Sequence, residues 1–127
     1  MSNIRLFESS MPQVANDAWI DETAVVIGNV SIGSHSSVWP MTVIRGDVHA
    51  IRIGMGCTIL DGAVLESYSM LGAGSLVPTG KHLEGGYLWV GTPARRVRPL
   101  SDQELEYLDY SAAHYVRLMK RHTGKKW

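Results

Sequence analysis

The stretch that decides the fold runs from Ile20 to Ile44 and reads IDETAVVIGNVSIGSHSSVWPMTVI. An aliphatic residue recurs in it at every sixth position, namely at Ile20, Val26, Ile32, Val38 and Ile44. The fourth residue after each of these anchors is small or β-branched, namely Ala24, Val30, Ser36, Thr42 and Val48. A period of six is a multiple of the two-residue period of a strand, and it does not fit the 3.6-residue period of an amphipathic helix. The pattern therefore predicts short strands whose anchors all face the same side.

A second run repeats this pattern further along the chain. Its anchors are Ile53, Ile59, Leu65, Leu71 and Val77, and its small partners are Cys57, Ala63, Ser69 and Ser75. The nine-residue step from Ile44 to Ile53 indicates a three-residue insertion between the runs, at about Ala50–Arg52. Glycine, aspartate and asparagine between the strands are suited to tight corners. Three six-residue units make one triangular coil of 18 residues, in which anchors and partners point inward. We expect the following anchors to be buried: Ile20, Ile32, Ile44, Ile53, Ile59, Leu65 and Leu71.

The whole chain of 127 residues is predicted to form one domain. Residues 1–19 lack the six-residue period and are expected to cap the first coil, and residues 20–90 form the β-helix. After Pro99, Ser101 and Glu104 form a capping-box pattern that predicts an α-helix over residues 100–122. Its apolar residues are spaced by three and four, which predicts one face that packs along the β-helix.

Charge and composition exclude several classes of function. The chain has 12 basic and 12 acidic residues, so no electrostatic attraction to nucleic acid is expected. No apolar run approaches the roughly 20 residues that span a bilayer, and no membrane association is expected. Met1–Ser10 has no signal-peptide pattern, which favours a cytoplasmic protein. Cys57 is the single cysteine, which rules out an intrachain disulfide and a zinc site built on several cysteines.

Three stretches of the chain resemble the γ-class carbonic anhydrase-like family, and they occur in that family's order. They are VWPMTVIRGD at residues 38–47, MGCTILDGA at residues 55–63 followed by LGAGSLV at residues 71–77, and VGTPAR at residues 90–95 followed by RPLS at residues 98–101. Together they span nearly the whole chain. The resemblance implies a single-stranded left-handed parallel β-helix of about three to four coils plus a C-terminal α-helix, assembled as a homotrimer. It also implies that Arg45 and Asp47 form an ion pair at the subunit interface.

The family binds zinc or another divalent metal between subunits through three histidines. The segments that carry those histidines belong between Gly54 and Met55, and this chain does not contain them. The six-residue phase nevertheless continues across the junction, from Ile53 to Ile59. The family reaction is hydration of carbon dioxide by metal-bound hydroxide, and it needs the metal to lower the pKa of water to about 7. We therefore expect no bound cofactor.

Five histidines remain, namely His35, His49, His82, His114 and His122. No two of them have the spacing of a zinc motif on one element. His49 is the one candidate for a metal site, because a threefold axis could gather three copies of it. Cys57 is expected to be a buried, inert thiol, and Glu66 and Glu84 are interpreted as isolated carboxylates.

These observations predict a non-catalytic trimeric scaffold derived from the γ-class family. Two alternatives stay open. One is a weak metal-dependent carbonic anhydrase or hydratase with a rebuilt site. The other is a hexapeptide acyltransferase, although the departures from the period at residues 50–52 and 82–87 are short for the loop that covers an acyl donor.

Overall fold

The computed structural model describes residues 3–109, without the side chains of residues 105 and 107–109. It consists almost entirely of short strands. In chain order they are β1 Ile4–Arg5, β2 Gln13–Val14, β3 Trp19–Ile20, β4 Val25–Ile32, β5 Ser37–Val38, β6 Val43–Ile53, β7 Thr58–Ile59, β8 Val64–Leu65, β9 Ser69–Leu71, β10 Leu76–Val77, β11 His82–Leu83, β12 Tyr87–Gly91 and β13 Ala94–Pro99. One helix, α1, follows at Asp102–Asp109.

Parallel pairing winds these strands into stacked coils with three faces. Face 1 is built from β1, the first part of β4, the first part of β6, β8 and β11. Face 2 is built from β2, the second parts of β4 and β6, β9 and β12. Face 3 is built from β3, β5, β7 and β10. Strand β13 then turns back antiparallel to β12. The predicted parallel β-helix is confirmed.

The core of the β-helix contains the predicted anchors. Ile32, Ile44, Ile53, Ile59 and Leu65 are fully buried, and Leu71 is nearly so. Ile20 was expected to be buried as well, but it is only partly buried. The reason is its position in β3, which pairs only with β5 and has no strand beneath it.

The three-residue insertion lies nearer the N-terminus than the sequence predicted. Gly28 pairs with Gly46, and Val30 pairs with Ile51, so residues 47–50 stand opposite the single residue Asn29. Ile51 therefore takes the inward place that the pattern gave to Val48, and Val48 is 85% exposed. The insertion bulges out of the corner between faces 1 and 2 and leaves the stack above it in register.

The N-terminal segment contributes to the stack itself. Ile4 pairs with Val26 on face 1, and Gln13 pairs with Ser31 on face 2. Residues 1–19 were expected to cap the first coil, and within this segment β1 and β2 supply the first strand on each of two faces. The period is hidden at β1, because Ile4 and Val26 are 22 residues apart instead of the 18 of a regular coil. In β2 the spacing is the regular 18, and Val14, six residues before Ile20, continues the period that the sequence was expected to lack.

Glycines allow the coils to approach closely where face 2 turns into face 3. The backbone N–H of Gly54 donates to the carbonyl of Leu71 at 2.9 Å, and the N–H of Gly33 donates to the carbonyl of Ile53 at 3.0 Å. A Cβ added to Gly54 would lie 2.7 Å from the backbone nitrogen of Ala73. This column of the β-helix therefore has no room for a side chain.

The predicted capping box is formed at the start of α1. The Ser101 N–H donates to the Glu104 carboxylate at 2.8 Å, and the Glu104 N–H donates to Ser101 Oγ at 3.2 Å. The helix begins at Asp102 and lies against β6. The rest of the predicted helix over residues 100–122, with most of its apolar face, lies outside the described residues. No helix within residues 3–109 is long and apolar enough to cross a membrane.

The pH dependence of stability provides a test of this cap. The Arg98 guanidinium donates to both carboxylate oxygens of Glu104, and chiefly for that reason the pKa of Glu104 falls from 4.5 to about 2. A lowered pKa means that the stabilisation is complete above pH 4.5 and is lost as the pH falls toward 2. We expect the Glu104→Gln variant to be less stable than the parent at pH 6 and to approach it by pH 2 in urea denaturation. Glu106→Gln, an exposed change on the same helix, is the control. A Glu104→Gln deficit that stays constant with pH would contradict the role of the ion pair.

Candidate functional site

The residues singled out from the sequence meet at the corner between faces 1 and 2. Arg45 lies near the end of the first part of β6, and its Nη2 is 3.2 Å from an Asp47 carboxylate oxygen. From the next coil, Ser67 Oγ donates to the Arg45 carbonyl and lies 3.1 Å from the other oxygen of Asp47. We call Arg45, Asp47 and Ser67 the corner cluster. Its ion pair lies within one chain, across a single turn.

The corner cluster keeps Asp47 ionised while leaving Arg45 accessible. Partial burial raises the pKa of the Asp47 carboxyl, but hydrogen bonds from Arg45 and Ser67 outweigh that effect and hold the pKa below its ordinary value. The side chain of Asp47 is 23% exposed and that of Arg45 is 51% exposed. Beside them is a shallow cavity of about 220 Å³, which is lined by Arg45, Val48, Glu66 and Ser67. The guanidinium is thus oriented by an anion of its own chain and presented outward.

His49 lies in the same bulge, and its ring contacts groups of its own protomer. Its Nδ1 accepts a hydrogen bond from the Ala50 N–H at 2.9 Å. The imidazole packs edge-on against the ring of Tyr68, with centroids 4.6 Å apart. Accepting a backbone N–H occupies the Nδ1 lone pair, so this nitrogen is not available to a metal in the arrangement observed.

The two other described histidines are held by carboxylates at different places. His82 Nε2 lies 2.6 Å from Glu66 on the adjacent coil. His35 Nδ1 lies 3.3 Å from Asp17 at a corner on another part of the stack. The interpretation of Glu66 as an isolated carboxylate was therefore wrong, because its coil places it beside His82, and the hydrogen bond from His82 is the main cause that lowers the pKa of Glu66. Glu84 also has a partner, since Arg96 lies 3.6 Å away.

The described residues of a single chain do not supply the ligands of the metal that the resemblance implies. A catalytic zinc takes three protein ligands. Within residues 3–109, no three histidine, cysteine, aspartate or glutamate side chains lie close enough to share an ion. Cys57 is buried, and burial raises the pKa of its thiol, which disfavours the thiolate that binds zinc. His114 and His122 lie outside the described residues.

Sequence reasoning missed Ser67 and the Glu66–His82 pair, although the repeat contains a signal for both. Residues 18 apart stack on adjacent coils, so His82 lies above Val64, two residues before Glu66. Ser67 is 20 residues after Asp47, which is one coil plus part of the insertion. Listing the outward residues coil by coil would have placed these side chains together.

Comparison with known proteins identifies the family. Residues 11–46 match the family model described as bacterial transferase hexapeptide (six repeats). The chain is 35% identical to protein YrdA of Escherichia coli strain K12, over 90% of each chain. It is 30% identical to the mitochondrial gamma carbonic anhydrase 2 of Arabidopsis thaliana, covering 96% of this chain and 62% of that protein. Among solved structures, a serine acetyltransferase from Brucella abortus in complex with coenzyme A matches 78% of this chain and 41% of its own, with a TM-score of 0.64 and 27% identity.

The alignments also contain many more positions than this chain supplies. The alignment with YrdA is 166 positions long and includes 90% of this 127-residue chain, about 114 residues, so about 50 positions are occupied by YrdA alone. The alignment with the Arabidopsis protein has 173 positions and includes 96% of the chain, which again leaves about 50. Despite this difference in length, each alignment covers at least 90% of the chain. The chain therefore belongs to the γ-class carbonic anhydrase-like family of hexapeptide-repeat proteins.

Proposed function

We propose that this protein is a non-catalytic member of the γ-class family, a trimeric β-helical scaffold from which the metal-binding coils have been lost. The main observation behind this proposal is the set of side chains that could bind a metal. The described histidines are engaged with Asp17, Glu66 and the backbone of Ala50, and within residues 3–109 no three metal-ligating side chains cluster. Since the family reaction depends on a metal-activated water, a chain without the three ligands has no means of producing the nucleophile at neutral pH.

The regular stacking across the Gly54–Met55 junction supports the same proposal. The coil that ends at Gly54 stacks directly on the coil that begins at Met55, with Val38 paired to Ile59 and Ile53 paired to Leu71. Loss of the intervening segment between these two residues would remove the family's histidines and still leave matching strand ends. The missing positions and the missing histidines then have one common cause.

Assembly as a trimer is the remaining function of the corner cluster under this proposal. Arg45 is oriented by Asp47 and exposed beside Val48, a large apolar side chain that projects from the bulge. An exposed valine next to an oriented cation is suited to burial against another protomer. The family resemblance implies that this protomer is a second copy of the chain.

Metal analysis of protein purified without chelators tests the proposal most directly. We expect well under one zinc, iron or cobalt per chain, and no acceleration of carbon dioxide hydration above buffer, before or after incubation with zinc. Light scattering should give three times the mass of the chain. Stoichiometric metal with metal-dependent hydration that His49→Ala abolishes would establish the rebuilt-site alternative instead.

The acyltransferase alternative is tested by a separate assay, which measures release of coenzyme A from acetyl-coenzyme A. The similarity to serine acetyltransferase extends over only 41% of that enzyme. It is therefore evidence for a shared fold and not for a shared reaction. We expect no release of free coenzyme A from acetyl-coenzyme A in the presence of amine and hydroxyl acceptors. Multiple turnovers with any acceptor would overturn the non-catalytic proposal.

A further inference from the structure

A second cavity lies at the C-terminal end of the β-helix, away from the corner cluster. It has a volume of about 590 Å³ and is formed between the last coil and the β12–β13 hairpin. We call it the end pocket. Its floor is Trp89, which stacks above Leu71 and is only 4% exposed. The indole Nε1 donates to the Glu84 carbonyl at 3.1 Å, which fixes the orientation of the ring.

The end pocket combines this apolar floor with a cationic rim. Pro78 and Pro93 extend the apolar surface on two sides. Lys81 is exposed and holds its Nζ 5.4 Å from the centroid of the Trp89 ring. Arg95 projects from β13 and is exposed as well. A volume of this size is in the range of small-molecule sites, which run from about 300 to 1,000 Å³.

One carboxylate, Glu84, also lines the end pocket, and a third cation offsets it. Arg96 lies 3.6 Å from Glu84 and stacks over the ring of Tyr87 at 4.6 Å. Within residues 3–109, no carboxylate lies within salt-bridge distance of Lys81 or Arg95. The described residues of the rim therefore carry a net charge of about two positive units, and Lys81 and Arg95 are exposed to a ligand.

We propose that the end pocket binds a small organic phosphate. Lys81 and Arg95 hold the phosphate group, and the attached ring or apolar part lies against Pro78 and Pro93. A phosphate monoester carries close to two negative charges at neutral pH, which matches the two available cations. Arginine and lysine are the side chains that recognise phosphate, and the apolar surface of the two prolines suits the attached ring or apolar part. None of these residues belongs to the corner cluster, so the site stands independently of the proposed function.

Titration calorimetry on the full chain tests the proposal with three probes. Adenosine 5′-monophosphate carries both ring and phosphate, inorganic phosphate carries only the anion, and adenosine carries only the ring. We expect the monophosphate to bind at least about tenfold more tightly than either fragment. Equal binding of the monophosphate and adenosine, or no binding of the monophosphate at millimolar concentration, would overturn the proposal.

Three variants locate the site. Lys81→Gln and Arg95→Gln should each weaken binding of the monophosphate by about tenfold, the size expected for loss of one hydrogen bond to a charged group. Arg98→Gln is the matched control, because Arg98 lies on the same strand but is engaged by Glu104. Thermal melting of each variant verifies that it is folded. If Arg98→Gln weakened binding as much as Arg95→Gln, the attraction would be diffuse and the assignment of the end pocket would be wrong.

Discussion

Gly54→Ala is expected to lower the free energy of unfolding by about 3 kcal/mol, at the upper end of the usual effect of overpacking a core. The new Cβ would lie 2.7 Å from the nitrogen and 2.9 Å from the Cα of Ala73, both of which are backbone atoms. Neither coil can move away freely, because the Gly54 N–H and the Met55 carbonyl hold the next coil through hydrogen bonds at 2.9 and 2.8 Å. Relief of the contact would therefore cost hydrogen bonds between coils.

Gly56→Ala is the matched control, two residues further along the same corner. Gly56 has a φ of +68°, and a Cβ added there meets nothing within 4 Å. Its substitution should cost only the strain of a left-handed conformation, about 1 kcal/mol. Urea denaturation of the parent and the two variants at one protein concentration measures both losses of unfolding free energy. Equal losses for the two variants would show that the coils at Gly54 are not held at the distance described.

Arg45→Ala is expected to dissociate the proposed trimer. An exposed ion pair within one protomer contributes about 0.2–1 kcal/mol. A pair that becomes desolvated at an interface costs about 2 kcal/mol or more when one partner is removed, which weakens each interface by about 30-fold. Light scattering over a dilution series should therefore show monomers of Arg45→Ala at concentrations where the parent remains assembled. A double-mutant cycle with Asp47→Ala would separate the pair from the individual side chains.

Arg96→Ala provides the control for this assembly experiment. Arg96 also forms an exposed pair, with Glu84 at 3.6 Å, but on the end pocket. Its removal should leave the trimer intact. If Arg45→Ala likewise leaves both assembly and melting temperature unchanged, the corner cluster serves only its own protomer, and the interfacial role of Arg45 is excluded.

The fold could be predicted from the sequence because its core repeats. Each anchor occupies an equivalent environment, so ten weak signals at one spacing combine into one strong prediction. The same reasoning gave a wrong prediction at the bulge, where the six-residue repeat is interrupted. Val48 has the residue type and the phase of a core position, yet the bulge at residues 47–50 expels it and Ile51 replaces it. Both are β-branched aliphatic residues, so nothing local distinguishes the inward one from the outward one.

The candidate site was predicted less completely, because it depends on outward residues that follow no period. Arg45 and Asp47 were located through the family resemblance, whereas Ser67 joins them only when coils are stacked in the observed register. The capping box was predicted because its partners are three residues apart, but the Arg98–Glu104 pair joins two separate elements. Lys81, Trp89 and Arg95 lie on three different segments, and only the turn of β13 back onto β12 brings them around one cavity.

Because residues 18 apart pair regularly, the length of the β-helix can change only in steps of one coil. Each added circuit returns the chain to the same vertex of the triangle and raises it by one interstrand spacing, about 4.8 Å. The bulge at residues 47–50 shows that a few extra residues can project from a corner while the strands on either side stay in register. Relatives of very different height can therefore share one cross-section and the same terminal structures. Evolution can therefore shorten or lengthen such a β-helix by whole coils, and the coils that remain stack through the same backbone hydrogen bonds.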